Sequence, residues 1–600
     1  MTEMQTKITE MRTEMTEMRA EMTEMRAEMT ERFDKFQKTL QQMQRENLAR
    51  SAAAPEKRPM SLAERRKAVG QLFAVGFHGT ETNAEIKSLI QDYGVGAVVL
   101  FKRNVQAAAQ LQSLCLGLQR LARDAGHTRP LFVGIDQENG LVSRISPPVA
   151  PQLPGPMTLG ATASLDSAYR VAKATGNMLR YFGINMNYAP VGDVNSEPLN
   201  PVIGVRSPGD DAAGVAQFAV ECARGLRETG VAPCIKHFPG HGDTAVDSHH
   251  GLPVIDKTRE ELEQVELVPF RRAAAEGIEM VMTAHISLPG LSGSRLPATL
   301  SPEVIDMLRR DLEFDGVIMT DCLEMDGVRA GYGTVEAALM ALKAGVDNVM
   351  ICHTYDVQTA AIDRVCDAVS SGDLSQARLD PSLERLRVLK DKYTDWDAAL
   401  GAQPPSHLAD LSSENEALAR EIYANAATVV RSEARLLPLS RTASTLFVSP
   451  GLKVPTSGAA VSGEAGVGKT RVPWVSSSFG DILRRYNPDI ADIRFTDAAL
   501  TPEQWRQVED AQVVILATRN ARESQYQRDL GLRIAKRRAG KTLIGVATCS
   551  PYDFLDDEAE VKNFIAVYEP TPEAFASAAD ILYGEAAARG KLPISCLKKG

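Results

Sequence analysis

The sequence predicts an α/β protein: a (β/α)8 TIM-type barrel followed by an α/β sandwich domain, with an N-terminal helical coiled-coil segment. Three observations carry the prediction. Methionines recur at heptad spacing through the first 48 residues. Eight short apolar runs then alternate with amphipathic stretches, the pattern of parallel strands joined by helices. A second alternation of the same kind follows a break containing Ala-Gln-Pro-Pro-Ser. At 600 residues the chain is too long for one core. The expected divisions are a helical segment at 1–50, a linker at 51–60, the barrel at 61–395, a linker at 396–412 and the sandwich domain at 413–600.

In the first segment, Ile8, Met15, Met22 and Met29 share one heptad position, and Met4, Met11, Met18 and Met25 share the other. Glu and Arg flank this seam, and Phe33, Phe36, Leu40 and Met43 continue it after a stutter. Two readings stand. One is a coiled coil through residues 1–48 that builds a homo-oligomer. The other is a solvated helix with a weak stripe, since methionine specifies packing poorly. Met60, where the barrel pattern begins, offers a second translation start. Residues 51–59, Ser-Ala-Ala-Ala-Pro-Glu-Lys-Arg-Pro, read as linker.

For the barrel, strands are expected at 70–77, 96–101, 130–136, 183–190, 231–237, 279–285, 316–321 and 347–352. Helical stretches such as 105–124, 166–181 and 211–229 lie between them. Asp136 ends the third run, Lys236 and His237 the fifth, His285 the sixth and Asp321 the seventh. Barrel enzymes gather their chemistry at the C-terminal ends of their strands. Any one such Asp could simply cap a helix, but several strands ending alike favour a site.

In the last third, a helix at 413–424 and strands near 445–449, 491–496, 512–517, 542–547 and 563–568 predict the α/β sandwich. Gly463 to Thr470 fits the phosphate-loop pattern G-x-x-x-x-G-K-[ST]. That motif needs a strand directly before it and a helix directly after. The nearest expected strand ends near 449 and Pro473 follows too early, so a Gly-rich loop is expected.

Composition narrows the functional classes. Apolar content of 44% and charged content of 24% are ordinary for a globular protein. The net charge of −10 argues against nucleic acid or an anionic membrane as partner. Cys115, Cys222, Cys234, Cys322, Cys352, Cys366, Cys549 and Cys596 show no paired CxxC spacing, and several lie in apolar runs. They read as buried free thiols of a reducing compartment. No apolar run reaches membrane-spanning length and the N-terminus carries no signal-like apolar region, so a cytoplasmic location is expected.

The densest chemistry lies at 231–253, Val-Ala-Pro-Cys-Ile-Lys-His-Phe-Pro-Gly-His-Gly-Asp-Thr-Ala-Val-Asp-Ser-His-His-Gly-Leu-Pro. Its glycines and prolines rule out a long helix, and its polar groups rule out a core segment. It reads as a strand that delivers Lys236 and His237, then a loop that carries Asp247, Ser248 and His249. The stretch resembles the pattern KHFPGHGDTxxDSH of glycoside hydrolase family 3, in its β-N-acetylglucosaminidase (NagZ-type) branch. Asp321, in Val317-Ile-Met-Thr-Asp-Cys-Leu-Glu-Met325, matches that family's nucleophile strand. Asp247 and His249 match the His-Asp pair that this branch uses as acid and base. An adjacent carboxylate orients an imidazole and stabilises its protonated form. A metal site is the competing reading of so many histidines, but the spacing fits no zinc pattern, and the resemblance implies neither metal nor cofactor.

The same resemblance implies substrate-binding roles for Asp136 and Arg144 in Asp-Gln-Glu-Asn-Gly-Leu-Val-Ser-Arg, for Arg206 in Asn200-Pro-Val-Ile-Gly-Val-Arg206, and for Lys236 and His237. The chain departs from the usual pattern at Asn139 and Leu141, where the family has Gly and Arg. For Arg144 a structural ion pair is the alternative. The beginning of the last domain, Ala-Ala-Thr-Val-Val-Arg, and its ending, Gly584 to Pro593, also resemble the family. In the His-Asp branch this domain is not required for the acid, so it is expected to be structural or to shape the pocket rim. The implied activity is retaining hydrolysis of terminal GlcNAc from cell-wall muropeptides or similar glycosides. The alternatives are a phosphorylase or β-glucosidase of the same family, or a non-catalytic oligomeric scaffold that binds sugar.

Overall fold

The computed structural model describes residues 60–244, 248, 251–451, 476–496 and 499–595, together with Lys35 and Lys38. Lys35 and Lys38 are helical and exposed. The rest of the coiled-coil segment, the 51–59 linker and the Gly463–Thr470 motif lie outside the described residues. From Leu62 onward the chain forms one compact unit.

Each of the eight expected barrel runs contains a strand. These are β1 (Phe73–Gly76), β2 (Ala97–Leu100), β3 (Phe132–Ile135), β4 (Met186–Asn187), β5 (Ala232–Phe238), β6 (Met280–Thr283), β7 (Val317–Cys322) and β8 (Asn348–Ile351). They close a parallel barrel in sequence order, with β8 pairing back to β1. The runs are continuously apolar because a parallel sheet wrapped by helices is buried on both faces. Accordingly Phe73, Val98, Val133, Ile235 and Ile318 are wholly buried.

The outer helices are capped as their sequences dictate. Ser164 accepts the Ser167 N–H at the start of Leu165–Tyr181, and Asp211 accepts the Gly214 N–H at the start of Ala212–Glu228. Each such cap is worth about 1 kcal/mol. At the N-terminal end of the barrel, buried Asp347 binds Arg309, Arg385 (3.2 Å), the Ser382 hydroxyl (2.7 Å) and the Ile318 N–H (2.9 Å). This network ties two strands to a helix on the face away from the chemistry expected of barrels.

Two irregularities position the opposite face. The β5–β6 register shifts between Ile235 and Phe238, around Lys236 and His237. The β8–β7 register shifts between Asn348 and Met350, whose partner is Cys322. Such irregularities re-aim side chains at barrel rims.

The 396–412 stretch is not an open linker. Helices Trp396–Leu400 and Pro405–Ala426 occupy most of it. Pro405 sits in the first turn, where its missing N–H costs nothing and its fixed φ starts the helix, so the Pro-Pro pair begins an element there instead of breaking one.

Beyond it lie β9 (Thr428–Arg431), β10 (Thr445–Pro450), β11 (Ala491–Phe495), β12 (Val513–Thr518), β13 (Thr542–Ala547) and β14 (Asn563–Ala566). Their order is β9-β14-β13-β12-β10-β11, parallel except for β9 against β14. β9 is absent from the sequence-based strand list because its Thr-Val-Val-Arg run is short and only its first residue is fully buried.

Buried Glu569, just beyond β14, joins this sheet to the barrel. It accepts hydrogen bonds from the Gly155 N–H (2.5 Å), the Thr158 hydroxyl (2.6 Å) and the Tyr423 hydroxyl (2.8 Å). Burial pushes its carboxyl above the ordinary range. Gly155 in turn packs on Gly140: a Cβ at Gly155 would lie 2.8 Å from the Gly140 Cα. No helix among the described residues is long and apolar enough to cross a membrane.

Candidate active site

The site grows from the chain that leaves β3. Gln137–Asn139 and Val142–Ser143 form a small antiparallel hairpin, with Gly140 at φ +58 in its turn. The Gln137 side-chain oxygen accepts the Arg144 and Ile145 N–H groups, both at 3.0 Å, and locks the base of the hairpin. Alternation along the extended chain puts Asp136 and Glu138 on one face, and both turn toward Lys236 from β5.

These residues form a buried charge cluster. Lys236 Nζ lies 2.7 Å from Asp136 and 2.7 Å from Glu138. Arg206 grips Glu138 with two bonds of 2.8 Å, and Arg144 lies 3.3 Å from Asp136. Burial alone would raise the Asp136 carboxyl, but Lys236 and Arg144 outweigh it and hold the group below the ordinary range. Burial opposes ionisation of Glu138 as well, yet Arg206 and Lys236 hold it well below that range. Lys236, which burial would depress, is raised by the same two carboxylates.

Asp193, fully buried, organises the next layer. It accepts from His237 Nδ1 (2.7 Å) and from the His237 and His241 N–H groups (3.2 and 2.7 Å). His237 Nε2 faces Arg206 Nη2 at 3.4 Å, and a guanidinium can only donate, so Nε2 accepts. His241 bonds the Thr244 hydroxyl (2.9 Å) and the Ser248 hydroxyl (3.0 Å), and burial pushes its imidazole down to about 4. The Ser248 carbonyl accepts the Gly327 N–H at 3.1 Å. That bond pins the loop to the segment that follows β7.

Asp321 sits one residue from the end of β7, with its Oδ1 accepting the Cys322 N–H at 2.7 Å. The Cys322 carbonyl is held by His285 Nε2 at 3.0 Å, and His285 Nδ1 by the Thr299 hydroxyl at 2.9 Å. His285, read from the sequence as a strand-end site residue, therefore braces the Asp321 backbone and does not line the cavity.

One cavity unites the set. Asp136, Arg144, Arg206, Lys236, His237 and Asp321 line it, as do Glu138, His241 and Ser248; Phe101, Met282, Met325 and Met350 supply apolar wall. Asp247 and His249 lie outside the described residues, while Ser248 between them is buried in the cavity wall.

The sequence reasoning missed Glu138 and Asp193. Glu138 had a signal, since it lies two residues from Asp136 on an extended segment. Asp193 had little, because it falls after the expected end of the fourth strand at 190. Arg144 combines both of its readings: it pairs with Asp136 and it faces the cavity.

Comparison with known proteins follows this geometry. Residues 65–389 match the family described as "Glycosyl hydrolase family 3 N terminal domain". The chain is 38% identical over 339 residues to β-hexosaminidase A of Pseudoalteromonas piscicida, covering 53% of this chain and 56% of that one. It therefore spans little more than half of that relative. It is 33% identical to β-hexosaminidase LpqI of Mycobacterium tuberculosis, covering 57% of this chain and 86% of that one. A solved family 3 β-N-acetylglucosaminidase from Paenibacillus sp. superposes with a TM-score of 0.78 at 36% identity, covering 90% of this chain and 99% of that chain.

Proposed function

The chain belongs to glycosyl hydrolase family 3, and from that premise we propose that it is a retaining exo-β-N-acetylglucosaminidase acting on terminal GlcNAc of muropeptides or similar glycosides. One observation carries the reading. Ser248, flanked in sequence by Asp247 and His249, is built into the wall of the cavity that Asp321 lines. Adjacent Cα atoms are about 3.8 Å apart, which supports the assignment of an acid/base pair on either side of Ser248 to the same pocket as the nucleophile.

In the first step the Asp321 carboxylate attacks the anomeric carbon. His249, oriented by Asp247, gives its proton to the departing glycosidic oxygen. In the second step neutral His249 takes a proton from water, whose oxygen displaces Asp321 and releases the sugar with its configuration retained. Asp136, Arg144, Arg206, Lys236 and His237 grip the hydroxyls and the acetamido group. Cross-linking within their charge cluster fixes the positions of these groups before the sugar arrives. The 2.7 Å bond from the Cys322 N–H sets the plane of the attacking carboxylate. Names of relatives that contain β-hexosaminidase or β-N-acetylglucosaminidase support the choice of sugar.

The test is hydrolysis of 4-nitrophenyl β-N-acetylglucosaminide by wild type, Asp321→Asn and His249→Ala, with and without phosphate. Phosphate-independent turnover is expected, abolished in Asp321→Asn and lowered roughly 10²–10⁴-fold in His249→Ala. A sugar 1-phosphate product would make the protein a phosphorylase. Turnover of the β-glucoside alone would overturn the assigned sugar.

A further inference from the structure

Beside Asp321 lies a second group of side chains that the proposed reaction does not use, one of which, Cys322, also lines the cavity. Cys322 ends β7, Glu324 follows it, and His353 lies two residues past β8. One ligand atom from each of the three lies within 4.8 Å of the other two. Both His353 ring nitrogens are shut off from solvent and lack a hydrogen-bond partner among the described residues. An imidazole with two orphaned nitrogens is costly in a folded protein and asks for a ligand.

The supporting atoms are already held. The Glu324 carboxylate accepts the Cys352, His353 and Thr354 N–H groups at 2.9, 2.6 and 3.1 Å. Oε2 accepts the first two donors and Oε1 the third, so of the roughly four lone-pair sites of a carboxylate the open one is on Oε1, and the group is fixed in orientation. Glu324 Oε2 lies 4.0 Å from Cys322 Sγ. Zn–S and Zn–O bonds of about 2.3 and 2.1 Å span about 3.6 Å at the tetrahedral angle, so ligand atoms no more than 4.8 Å apart need to draw together by about 1.2 Å at most.

We propose that Cys322, Glu324 and His353 form a binding site for a thiophilic divalent cation of the Zn²⁺ class, tying the loop after β7 to the loop after β8. Binding displaces the Cys322 thiol proton to solvent and leaves a fourth position for water. Nearby Arg103 opposes the ion's charge. The thiolate and the Glu324 carboxylate balance it.

The test uses the full-length chain stripped of metal and titrated with Zn²⁺ against a chromophoric chelator. Wild type is expected to take up one equivalent tightly. His353→Ala should weaken that binding by more than the roughly 10–100-fold that loss of an outer partner costs, while His249→Ala leaves it unchanged. Co²⁺ substitution should give a thiolate-to-cobalt band in the near ultraviolet, absent in Cys322→Ser. That second variant decides the matter if His353→Ala does not fold. No tight binding by wild type, binding indifferent to both His353→Ala and Cys322→Ser, or binding lost in His249→Ala instead would overturn the site.

Discussion

Replacing Glu138 by Gln keeps the shape of the charge cluster and removes its central charge. Glu138 meets Arg206 twice at 2.8 Å and Lys236 at 2.7 Å, with its side chain 1% exposed. A unit charge pair about 4 Å apart is worth about 4 kcal/mol at an effective dielectric of 20, so the two cations give about 8 kcal/mol gross. Desolvation of three charges offsets much of this. Removing one partner of a buried pair costs about 3–5 kcal/mol, because the remaining charges stay buried. At about 2–4 °C per kcal/mol, the barrel transition should fall by roughly 6 °C or more in Glu138→Gln, read by far-ultraviolet circular dichroism at pH 7.

The pH dependence sharpens the prediction. The folded-state carboxyl lies below its ordinary value, so its stabilisation is complete above the unfolded-chain value of about 4.3 and is lost as pH falls below it. The gap between wild type and variant should be flat from about pH 8 to 5 and narrow below about 4.3. A fall under about 2 °C at pH 7, or a gap that widens in acid, would refute the electrostatic account.

Three further outcomes are expected. Asp347→Ala, at the far end of the barrel, should lower stability by about 3–5 kcal/mol while activity per folded molecule holds well below the transition; a large loss of kcat with an unchanged transition would contradict this. Asp553 is buried and its carboxyl is pushed up to about 7, so the fold keeps a proton that the unfolded chain has released. Wild-type stability therefore falls as pH rises from about 4 toward 7, and Asp553→Asn should gain on wild type across that window in thermal scans. Gly242 has no room for a side chain, since a Cβ there would lie 1.6 Å from the Val194 carbonyl oxygen. Gly242→Ala should shift the loop it begins and cut kcat/KM on the aryl glycoside by roughly 10–100-fold; unaltered kinetics would show that the loop absorbs the change.

Periodicity made the barrel legible because its strands are buried on both faces and read as unbroken apolar runs. It said less where hydrogen bonding is brief: β4 has only Met186 and Asn187 in regular pairing, though eight residues from 183 to 190 had been expected. Residue type and position found Asp136, Arg144, Arg206, Lys236, His237 and Asp321, which line the cavity, but not Glu138 beside them. They did not reveal that Arg206 and Lys236 are cross-linked by Glu138, since ion-pair partners 68 residues apart leave no local pattern. Asp193 escaped for a related reason. Its role is to receive three donors from a different strand end, and that convergence exists only in three dimensions.

The contact of Glu569 with Gly155, and of Gly155 with Gly140, has a consequence for how such a chain can change. The turn of the hairpin that lines the cavity is backed by an acid 414 residues beyond Gly155. A protein ended after the barrel would keep Asp321, Lys236 and the whole cavity wall, yet leave the Gly155 N–H and the Thr158 hydroxyl without their acceptor. Under the proposed reaction its loss would register as slack in the grip on the sugar, with the Asp321 carboxylate unmoved. In this chain a foreign sheet domain grafted onto the barrel should keep the backing of that hairpin only if it brings an acceptor to the same spot.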